Sequence, residues 1–431
     1  MTGAPDADRL PAIAAALLRA AGRFGTPAYV TDVGALDAAA AAVRAAFPDP
    51  WLRHYSVKAN DVAAVVRLVA ERGFGANVVS RGEWEVARRA GLPNDRITLE
   101  GIGKTDADLR TAVRAARGGR PPGWIAIESV DEAAALARIA GASRGARLDV
   151  LFRLNPDVVP ETHRGLAVGA GGSKFGMTET ELAAAVEAVT SGGSAGGRLR
   201  PRGIHIHVGS QLGAVDAWRD AVRRGLALLA LLGGTLPDFD TLDLGGGFPV
   251  GPVGGAVPDP ARFAREVGPL LEAIPEDRRP RRLAIEPGRY LVGRAGWLVA
   301  RVLHVRDRGG RQVVIDAGMT ELIRPALYGA HHGIVALTSL GGPFDDWTQR
   351  EHPALEPARV EGPICESTDA LGEHLLPALR RGDLVAIRDA GAYAASLGST
   401  YNGRPRPPQV VLAEDGTLTV ARRRGSLGSL G

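Results

Sequence analysis

Short β-rich runs and longer helical stretches alternate along the middle of the chain. The Ala- and Leu-rich segments between the runs have helical length, and Ala214–Leu232 carries apolar side chains at spacings of three or four residues (Val215, Trp218, Val222 and Leu226). Alternation of strand and helix is typical of a parallel sheet. The eight β-rich runs are Leu52–Lys58, Phe74–Ser80, Arg96–Glu100, Trp124–Glu128, Leu148–Asn155, Arg202–Val208, Phe239–Leu244 and Arg282–Glu286.

Eight such units within about 240 residues match the size of a closed (β/α)8 TIM barrel. A doubly wound open sheet is the alternative, but it usually has fewer strands and a Gly-rich first turn. Shorter alternating runs follow and predict a C-terminal antiparallel β domain, to which Thr26–Asp32 could add a strand. We therefore expect a barrel over residues 33–290 and a β domain made of residues 1–32 plus 291–431. The shorter runs are Trp297–Val305, Gln312–Asp316, Leu384–Arg388 and Gln409–Ala413.

Three of the predicted barrel strands place ionisable side chains inside the barrel near their C-terminal ends. Successive residues of a strand face opposite sides, so the Ile and Val residues of Gly203–Val208 face the helices while His205 and His207 face inward. The same alternation turns Lys58 and Glu286 inward at the last position of their strands. Barrel enzymes keep their chemistry at this end.

Composition excludes several classes of protein. The chain has 431 residues, of which 45% are hydrophobic and 23% charged, as in ordinary globular proteins. Its formal net charge is +4 with scattered basic residues, so we expect no nucleic-acid partner. One cysteine excludes a disulfide scaffold and favours a reducing compartment. Without an apolar run of 18 residues or a signal-peptide pattern, we expect a cytoplasmic protein with no membrane segment.

A glycine triplet (Gly245, Gly246 and Gly247) follows the seventh run, where backbone N–H groups could approach an anion closely. A phosphate site after strands seven and eight recurs in barrels, although a flexible turn is the simpler explanation. Gly209–Ser210 follows the sixth run and Gly288–Arg289 follows the eighth. Three sets of donors at one rim favour a phosphate site.

The inward-facing groups admit two interpretations each. Lys58 could be a surface lysine, but beside a phosphate site it suggests a Schiff base, because desolvation and nearby cations lower the pKa of an amine. His207 could stack on a ring or be a hydrogen-bonded core histidine. Glu286 could pair with Arg289, or it could keep a proton on a heterocycle nitrogen and so make the ring an electron sink. Together these features describe pyridoxal phosphate, with no metal site predicted.

The chain resembles the meso-diaminopimelate decarboxylases, which belong to the alanine racemase-like (fold type III) group of pyridoxal-phosphate enzymes. The resemblance runs from Thr26 to about Val411. Each motif alone is modest, but the ordered set is highly specific. The motifs are Tyr55–Asn60, Ser173–Gly176, His205–Gln211, Gly245–Gly247, Glu286–Arg289, Asp316–Met319, Ile323–Tyr328, Gly362–Ser367 and Gly391–Tyr393.

This resemblance implies roles for particular residues. Lys58 would carry pyridoxal 5'-phosphate, His207 would stack on its ring, and Cys365 is the proposed proton donor. The family forms head-to-tail homodimers, in which the segment at Cys365 and Glu366 reaches the partner's site. The implied cofactor contacts are Ser210, Gly245, Gly246, Gly247, Glu286, Gly288, Arg289 and Tyr393, and the implied substrate contacts are Arg289, Arg324, Tyr328, Glu366 and Tyr393.

The substrate of the family explains two of these residues. Diaminopimelate carries a second amino-acid group, and Arg324 with Glu366 would bind its carboxylate and its ammonium. Related ornithine and arginine decarboxylases bind a cationic tail, which Arg324 would repel, and they tend to have Cys-Asp at Cys365–Glu366. A surface ion pair is the alternative role for Arg324. The expected reaction removes carbon dioxide from the D-centre and gives L-lysine, with Cys365 or Lys58 returning the proton.

Three positions depart from the family pattern: Asn77 replaces a common Asp, and Arg81 and Thr368 replace common glycines. These departures leave room for a decarboxylase of a related amino acid with a distal carboxylate or carrier. A catalytically silent regulatory homologue is another alternative, although it would not need the lysine, cysteine and glutamate together. A racemase of the same barrel type fits less well, because it places an arginine at the ring nitrogen.

Overall fold

The computed structural model describes residues 10–143, 145–191, 198–236, 238–251, 257–344 and 354–429. The chain divides into two compact units. The first unit takes the described residues within Met1–Ala39, Val250–Ala256 and Tyr290–Gly431, and the second takes those within Ala40–Pro249 and Val257–Arg289.

Helices and strands alternate through the second unit, whereas strands dominate the first. The helices are α1 (Leu10–Phe24), α2 (Val33–Ala46), α3 (Ala63–Glu71), α4 (Arg81–Arg89), α5 (Asp106–Arg117), α6 (Val130–Gly141), α7 (Glu179–Thr190), α8 (Asp216–Gly233), α9 (Pro260–Glu272), α10 (Arg289–Val292) and α11 (Arg324–Tyr328). The strands are β1 (Ala28–Asp32), β2 (Leu52–Ser56), β3 (Gly75–Val78), β4 (Ile97–Leu99), β5 (Trp124–Ile127), β6 (Leu148–Leu154), β7 (Leu199–Ile206), β8 (Thr241–Asp243), β9 (Arg282–Ile285), β10 (Gly296–Asp307), β11 (Arg311–Ile315), β12 (Ile334–Ala336), β13 (Thr338–Ser339), β14 (Gly342–Pro343), β15 (Glu356–Glu361), β16 (Ala370–Leu376), β17 (Leu384–Ile387), β18 (Gln409–Leu412) and β19 (Leu418–Arg422).

Strands β2 to β9 form a closed barrel in which each strand pairs in parallel with the next, and β9 pairs in parallel with β2. Each of the eight predicted β-rich runs overlaps one of these strands, so the predicted barrel is confirmed. Strands such as β5 are buried along their whole length because a barrel strand has the interior on one face and helices on the other.

Polar caps turn the chain from strand to helix just beyond the barrel. The Ser80 hydroxyl accepts from the Glu83 N–H at the start of α4, and the Ser129 hydroxyl accepts from the Glu132 N–H at the start of α6. Thr105 forms a capping box with Asp108 at the start of α5. These caps satisfy N–H groups that a helix leaves free in its first turn. They therefore fix where each strand ends and where the loops at the C-terminal rim begin.

The first unit is built on a mostly antiparallel sheet in the order β16-β15-β11-β10-β1-β18-β19, with β17 pairing with β10 and β12. The predicted strand within Thr26–Asp32 is β1. Two pairs are parallel, β1 with β18 and β11 with β15, which the alternation of side chains alone does not distinguish. The apolar face of α1, including Ile13 and Leu17, packs in one cluster with Val30 and Val299.

Among the described residues, no helix combines the length and the apolar character that crossing a membrane requires.

Candidate active site

Lys58 lies in a single 3-10 turn, Val57–Ala59, that follows β2 directly. The sequence placed this lysine at the last position of the strand, but the strand ends two residues earlier. The chain turns there because the Asn60 N–H donates back to the Val57 carbonyl at 3.0 Å. Lys58 is half-buried, and its side-chain nitrogen makes no hydrogen bond or ion pair with any other described residue. An amine held in this way is available to a ligand.

The glycine triplet follows β8 and lies close to backbone on both sides. A Cβ at Gly246 would collide with the Glu286 carbonyl oxygen, and a Cβ at Gly247 would lie 2.7 Å from Leu212 Cδ1. Gly245 and Gly247 also have φ values of +66° and +107°, in the region that favours glycine. Larger residues would therefore not fit this loop.

The amides of the triplet have different partners. The Gly245 N–H donates to Asp243 Oδ1 at 2.9 Å, and the Gly246 N–H donates to His207 Nδ1 at 3.1 Å. The Gly247 N–H makes no hydrogen bond within the described part of the chain. Of the three predicted phosphate donors, Gly247 is thus the one whose amide is available, while Gly245 and Gly246 orient their neighbours.

His207 lies just beyond the end of β7 and is partly buried. Because its Nδ1 accepts from Gly246, the neutral ring carries its proton on Nε2. Burial, followed by the nearby cations Lys58 and Arg153, holds the pKa of His207 well below its usual value. The ring is therefore uncharged at neutral pH and fixed in orientation, as a residue that stacks on a flat ring requires.

Ser210 and Arg289 meet at the same rim. Arg289 is buried at the start of α10, and its Nη2 and Nε atoms donate to the Ser210 hydroxyl at 3.1 and 3.3 Å. Just before it, a Cβ at Gly288 would lie 2.9 Å from Ser56 Cβ, so a glycine lets this loop approach the turn that carries Lys58. The arrangement brings a cation and a hydroxyl together, which suits a phosphate.

Glu286 follows β9 directly and is buried inside the barrel. The Asn77 amide donates to its Oε1 through a short hydrogen bond. His205 is also buried, with Nε2 3.6 Å from Glu286 Oε2 and Nδ1 3.4 Å from Glu100 Oε2. Sequence reasoning noted Asn77 only as a departure from the family pattern and missed Glu100 and Asp243. Glu100 stood at the last position of a predicted strand, the same signal that selected Lys58 and Glu286.

Burial decides the charge of these groups. It raises the pKa of Glu100 to about 8, with a further contribution from the negative charge of Glu286. For the same two reasons the pKa of Asp243 lies well above its usual value. Burial lowers the pKa of His205 to about 4. At neutral pH, Glu100 and Asp243 therefore hold their protons, and His205 is neutral.

A second layer of charges lies beside this cluster. Arg153 Nη1 pairs with Glu128 Oε1 at 2.6 Å, and Lys104 pairs with Glu132 at 3.0 Å. Both pairs are largely buried, so each charge is matched by an opposite one. The Gly176 N–H donates to the other oxygen of Glu128 at 3.2 Å, which ties the predicted Ser173–Gly176 motif to the barrel.

The remaining predicted residues belong to the first unit. Arg324 and Tyr328 share the short helix α11; Arg324 is buried with Nη1 3.2 Å from His332 Nε2, and Tyr328 is partly buried. Tyr393 is partly buried and has a φ of +55°. Thus all three occupy defined positions within that unit.

Cys365 and Glu366 are exposed in the turn between β15 and β16. The buried Asp369 carboxylate holds this turn by accepting from the Ile364 N–H at 2.7 Å. The Tyr401 hydroxyl donates to Glu366 Oε1 at 2.8 Å. The turn therefore presents a thiol and a carboxylate side by side to solvent.

The barrel residues fit pyridoxal phosphate. Lys58 offers an amine that has no partner among the described residues, and the tightly packed glycine loop offers the Gly247 amide, which none of them occupies. Ser210 and Arg289 offer a hydroxyl and a cation, and Glu286 offers a buried carboxylate that already has the Asn77 amide as a donor. These groups match the aldehyde, phosphate and ring nitrogen of that cofactor in chemical type.

Comparison with known proteins agrees with this assignment. The family described as "Pyridoxal-dependent decarboxylase, pyridoxal binding domain" matches residues 33–293. The chain is 39% identical to diaminopimelate decarboxylase of Actinosynnema pretiosum subsp. auranticum over 413 residues, covering 94% of this chain and 87% of that protein. It is 35% identical to diaminopimelate decarboxylase of Aquifex aeolicus over 409 residues, covering 93% of this chain and 90% of that protein.

Solved structures give the same result. Diaminopimelate decarboxylase from Helicobacter pylori, complexed with L-lysine, superposes with a TM-score of 0.84 at 29% identity, covering 96% of this chain and 98% of that one. Diaminopimelate decarboxylase from M. jannaschii in co-complex with L-lysine gives a TM-score of 0.84 at 28% identity, covering 96% and 93%.

Proposed function

Since the chain belongs to the diaminopimelate decarboxylases within the pyridoxal-dependent decarboxylase family, we propose that it removes carbon dioxide from the D-centre of meso-2,6-diaminopimelate and forms L-lysine. It is a carboxy-lyase of lysine biosynthesis, and its cofactor is pyridoxal 5'-phosphate. The observation that carries the proposal is the buried Glu286 carboxylate, held by the Asn77 amide in the same barrel as the glycine loop and the turn of Lys58.

The cofactor, when bound, supplies a ring that accepts the electron pair of the bond to the departing carboxylate. Lys58 holds the cofactor covalently through its amine, which suits its lack of a protein partner. His207, which is neutral and oriented by the Gly246 amide, would stack on the cofactor ring. Glu286 keeps a proton on the ring nitrogen, because a carboxylate next to that nitrogen favours its charged form.

The phosphate group is held by Ser210, Arg289, Tyr393 and the glycine loop. Arg289 already donates two hydrogen bonds to the Ser210 hydroxyl, so a cation is fixed in place before the anion binds. Gly247 offers an amide that no described residue occupies. Because Gly288 has no side chain, its loop can lie close to the turn that carries Lys58. A preorganised site of this kind loses little entropy on binding.

Selectivity for diaminopimelate comes from its distal amino-acid group. Arg324 binds the distal carboxylate, and Glu366 binds the distal ammonium, with Tyr328, Arg289 and Tyr393 as further contacts. A cationic tail such as that of ornithine would be repelled by the same arginine.

The α-carbon receives a proton after carbon dioxide leaves. The donor is Cys365 or Lys58, and both suit the role chemically, since each carries an exchangeable proton. Cys365 is exposed beside Glu366, on a turn that the Asp369 carboxylate holds in place. An exposed thiol fits a donor that serves the site of a partner subunit.

The working form is a head-to-tail homodimer in which the turn at Cys365 and Glu366 completes the partner's site. The exposure of both side chains supports this arrangement. It also fits the chemistry of the turn, whose carboxylate is held ready by the Tyr401 hydroxyl at 2.8 Å.

A substrate panel tests the proposal. Release of carbon dioxide is measured from meso-diaminopimelate, ornithine and arginine with the loaded enzyme, and the product is checked for L-lysine. Faster release from either cationic substrate, or no release from any, would contradict the proposed function.

A further inference from the structure

We propose that Glu100 is a positioning residue for this reaction: a buried carboxylic acid that keeps its proton and donates it in a hydrogen bond to Glu286, so that Glu286 stays ionised and leaves the shared proton on the cofactor ring. This inference rests on the proposed role of Glu286. No other role described above uses Glu100.

The geometry requires a proton between these two groups. The carboxyls of Glu100 and Glu286 are both buried, with one oxygen of each within 4.8 Å of the other, and both are acceptors when ionised. Glu100 Oε1 accepts from the Trp124 indole N–H at 3.2 Å, whereas Oε2 has no donor within the described part of the chain. A proton on Oε2 satisfies both oxygens.

The surroundings decide which of the two carboxyls is ionised. Glu286 receives the Asn77 amide on one oxygen, and its negative charge, after burial, raises the pKa of the Asp243 carboxyl. Glu100 receives only the indole. The negative charge therefore belongs on Glu286, where the donors converge, and the protons belong on Glu100 and Asp243.

His205 does not supply the missing charge. Its two nitrogens lie 3.4 Å from Glu100 and 3.6 Å from Glu286, and neither makes a hydrogen bond among the described residues. Burial lowers its pKa to about 4, so the ring stays neutral between the two acids. An uncharged histidine lies beside both carboxyls without neutralising either of them.

The consequence concerns the ring nitrogen of the cofactor. Hydrogen bonds donated to a carboxylate stabilise its ionised form and reduce its affinity for a proton. A proton shared between Glu286 and the ring nitrogen then stays on the nitrogen, where it makes the ring a better electron sink. Loss of the Glu100 proton at alkaline pH would place a second negative charge against Glu286 and reverse this effect.

Among the described residues, the charged and titratable groups that most affect this pair belong to the barrel unit. The cations and anions of this unit shift the pKa of Glu100 in opposite directions, so its burial remains the largest influence on that pKa. These neighbours are Lys58 after β2, Glu128 after β5, Arg153 on β6, His205 on β7, Asp243 on β8 and Glu286 after β9.

The first test follows kcat, KM and the visible absorbance of the loaded enzyme between pH 6 and 10. Wild type should lose kcat and change its spectrum as Glu100 ionises at a pKa of about 8. E100Q retains a donor to Glu286, so its kcat at pH 7 should stay within about threefold of wild type and this alkaline transition should disappear. E100L has no donor, so its kcat should fall by about tenfold or more with little change in KM.

The second test uses apoprotein and needs no activity. An acid with a raised pKa in the folded state stabilises the fold fully only below its unfolded pKa of about 4.3, and this stabilisation is lost as pH rises to the folded value. The Tm of E100Q should therefore rise relative to wild type between pH 5 and pH 8. E321Q removes another buried acid whose pKa is raised by burial, so it should show a similar Tm trend, whereas the loaded E321Q enzyme should keep the wild-type alkaline transition.

The inference is overturned if E100Q keeps the alkaline transition of wild type and the Tm difference between the two proteins does not change with pH. It is also overturned if E100Q loses as much kcat as E100L. A protein that shows the predicted apoprotein trend but releases no carbon dioxide would contradict the proposed function instead.

Discussion

Individual residues in the barrel act through the charge that burial leaves on them. Burial and the charge of Glu286 raise the pKa values of Glu100 and Asp243. Sequence reasoning found Glu286, Lys58 and His207 because side-chain alternation places them at strand ends. It could not find the contact from Asn77 on β3 to Glu286 after β9, because these strands are separated by β2 and the contact depends on the register of both pairings, which one sequence does not reveal.

Arg324 is the residue that should separate diaminopimelate from cationic substrates. In R324M the distal carboxylate loses a charged partner, and a hydrogen bond to a charged group contributes about 1.5–3 kcal/mol. We expect kcat/KM for meso-diaminopimelate to fall by about 10- to 150-fold, as steady-state carbon dioxide release would measure. R306M, at an exposed arginine of β10, is the matched control and should keep its activity. An unchanged kcat/KM in R324M would remove this arginine from the substrate site.

At the scale of elements, the barrel places function in the loops that follow its strands. The eight strands were predictable because each is a short apolar run between helices. Their ends were less predictable: Lys58 lies in a 3-10 turn rather than on β2, since the Asn60 N–H bonds back to Val57. The parallel pairing of β1 with β18 joins distant parts of the chain, and local pattern carries no information on it.

The glycine loop after β8 gives the second prediction. In G246A the new methyl group would collide with the Glu286 backbone carbonyl, so the glycine loop or the segment at Glu286 must shift. We expect the Kd of pyridoxal phosphate to rise by about tenfold or more, which is about 1.4 kcal/mol, as fluorescence titration of apoprotein would measure.

G268A provides the control for this loop. Gly268 lies inside α9, with no atom within 4 Å of an added Cβ, so this variant should bind the cofactor as wild type does and gain stability. Equal Kd values for G246A and G268A would show that the glycine loop does not shape the cofactor site.

At the scale of the whole molecule, the proposed function draws on residues of both units and, in the proposed dimer, on both subunits. The barrel unit carries Lys58 and Glu286, whereas Cys365, Glu366 and Arg324 belong to the β unit. Composition and pattern predicted the two kinds of architecture. The assembly of subunits has no signature in one sequence, so it entered through family resemblance.

Complementation between inactive variants tests the shared site. K58A lacks the cofactor amine and C365S lacks the thiol, so each homodimer should be impaired. Random exchange of subunits gives one native site in half of the dimers, and activity should recover to about a quarter of wild type. The control mixes K58A with the double variant that carries both K58A and C365S, and this mixture should recover no activity. Failure of the first mixture to recover would contradict sites shared between subunits.

The proposed chemistry depends most directly on the amine of Lys58. The chain has only three lysines, Lys58, Lys104 and Lys174, so borohydride reduction of the loaded enzyme followed by peptide mass spectrometry can locate the attached cofactor without ambiguity. We expect the pyridoxyl mass on the peptide that contains Lys58. The K58A variant should lose both this mass and the visible absorbance, whereas K174A should keep both. Attachment at Lys104 or Lys174, or full absorbance in K58A, would contradict the proposed chemistry.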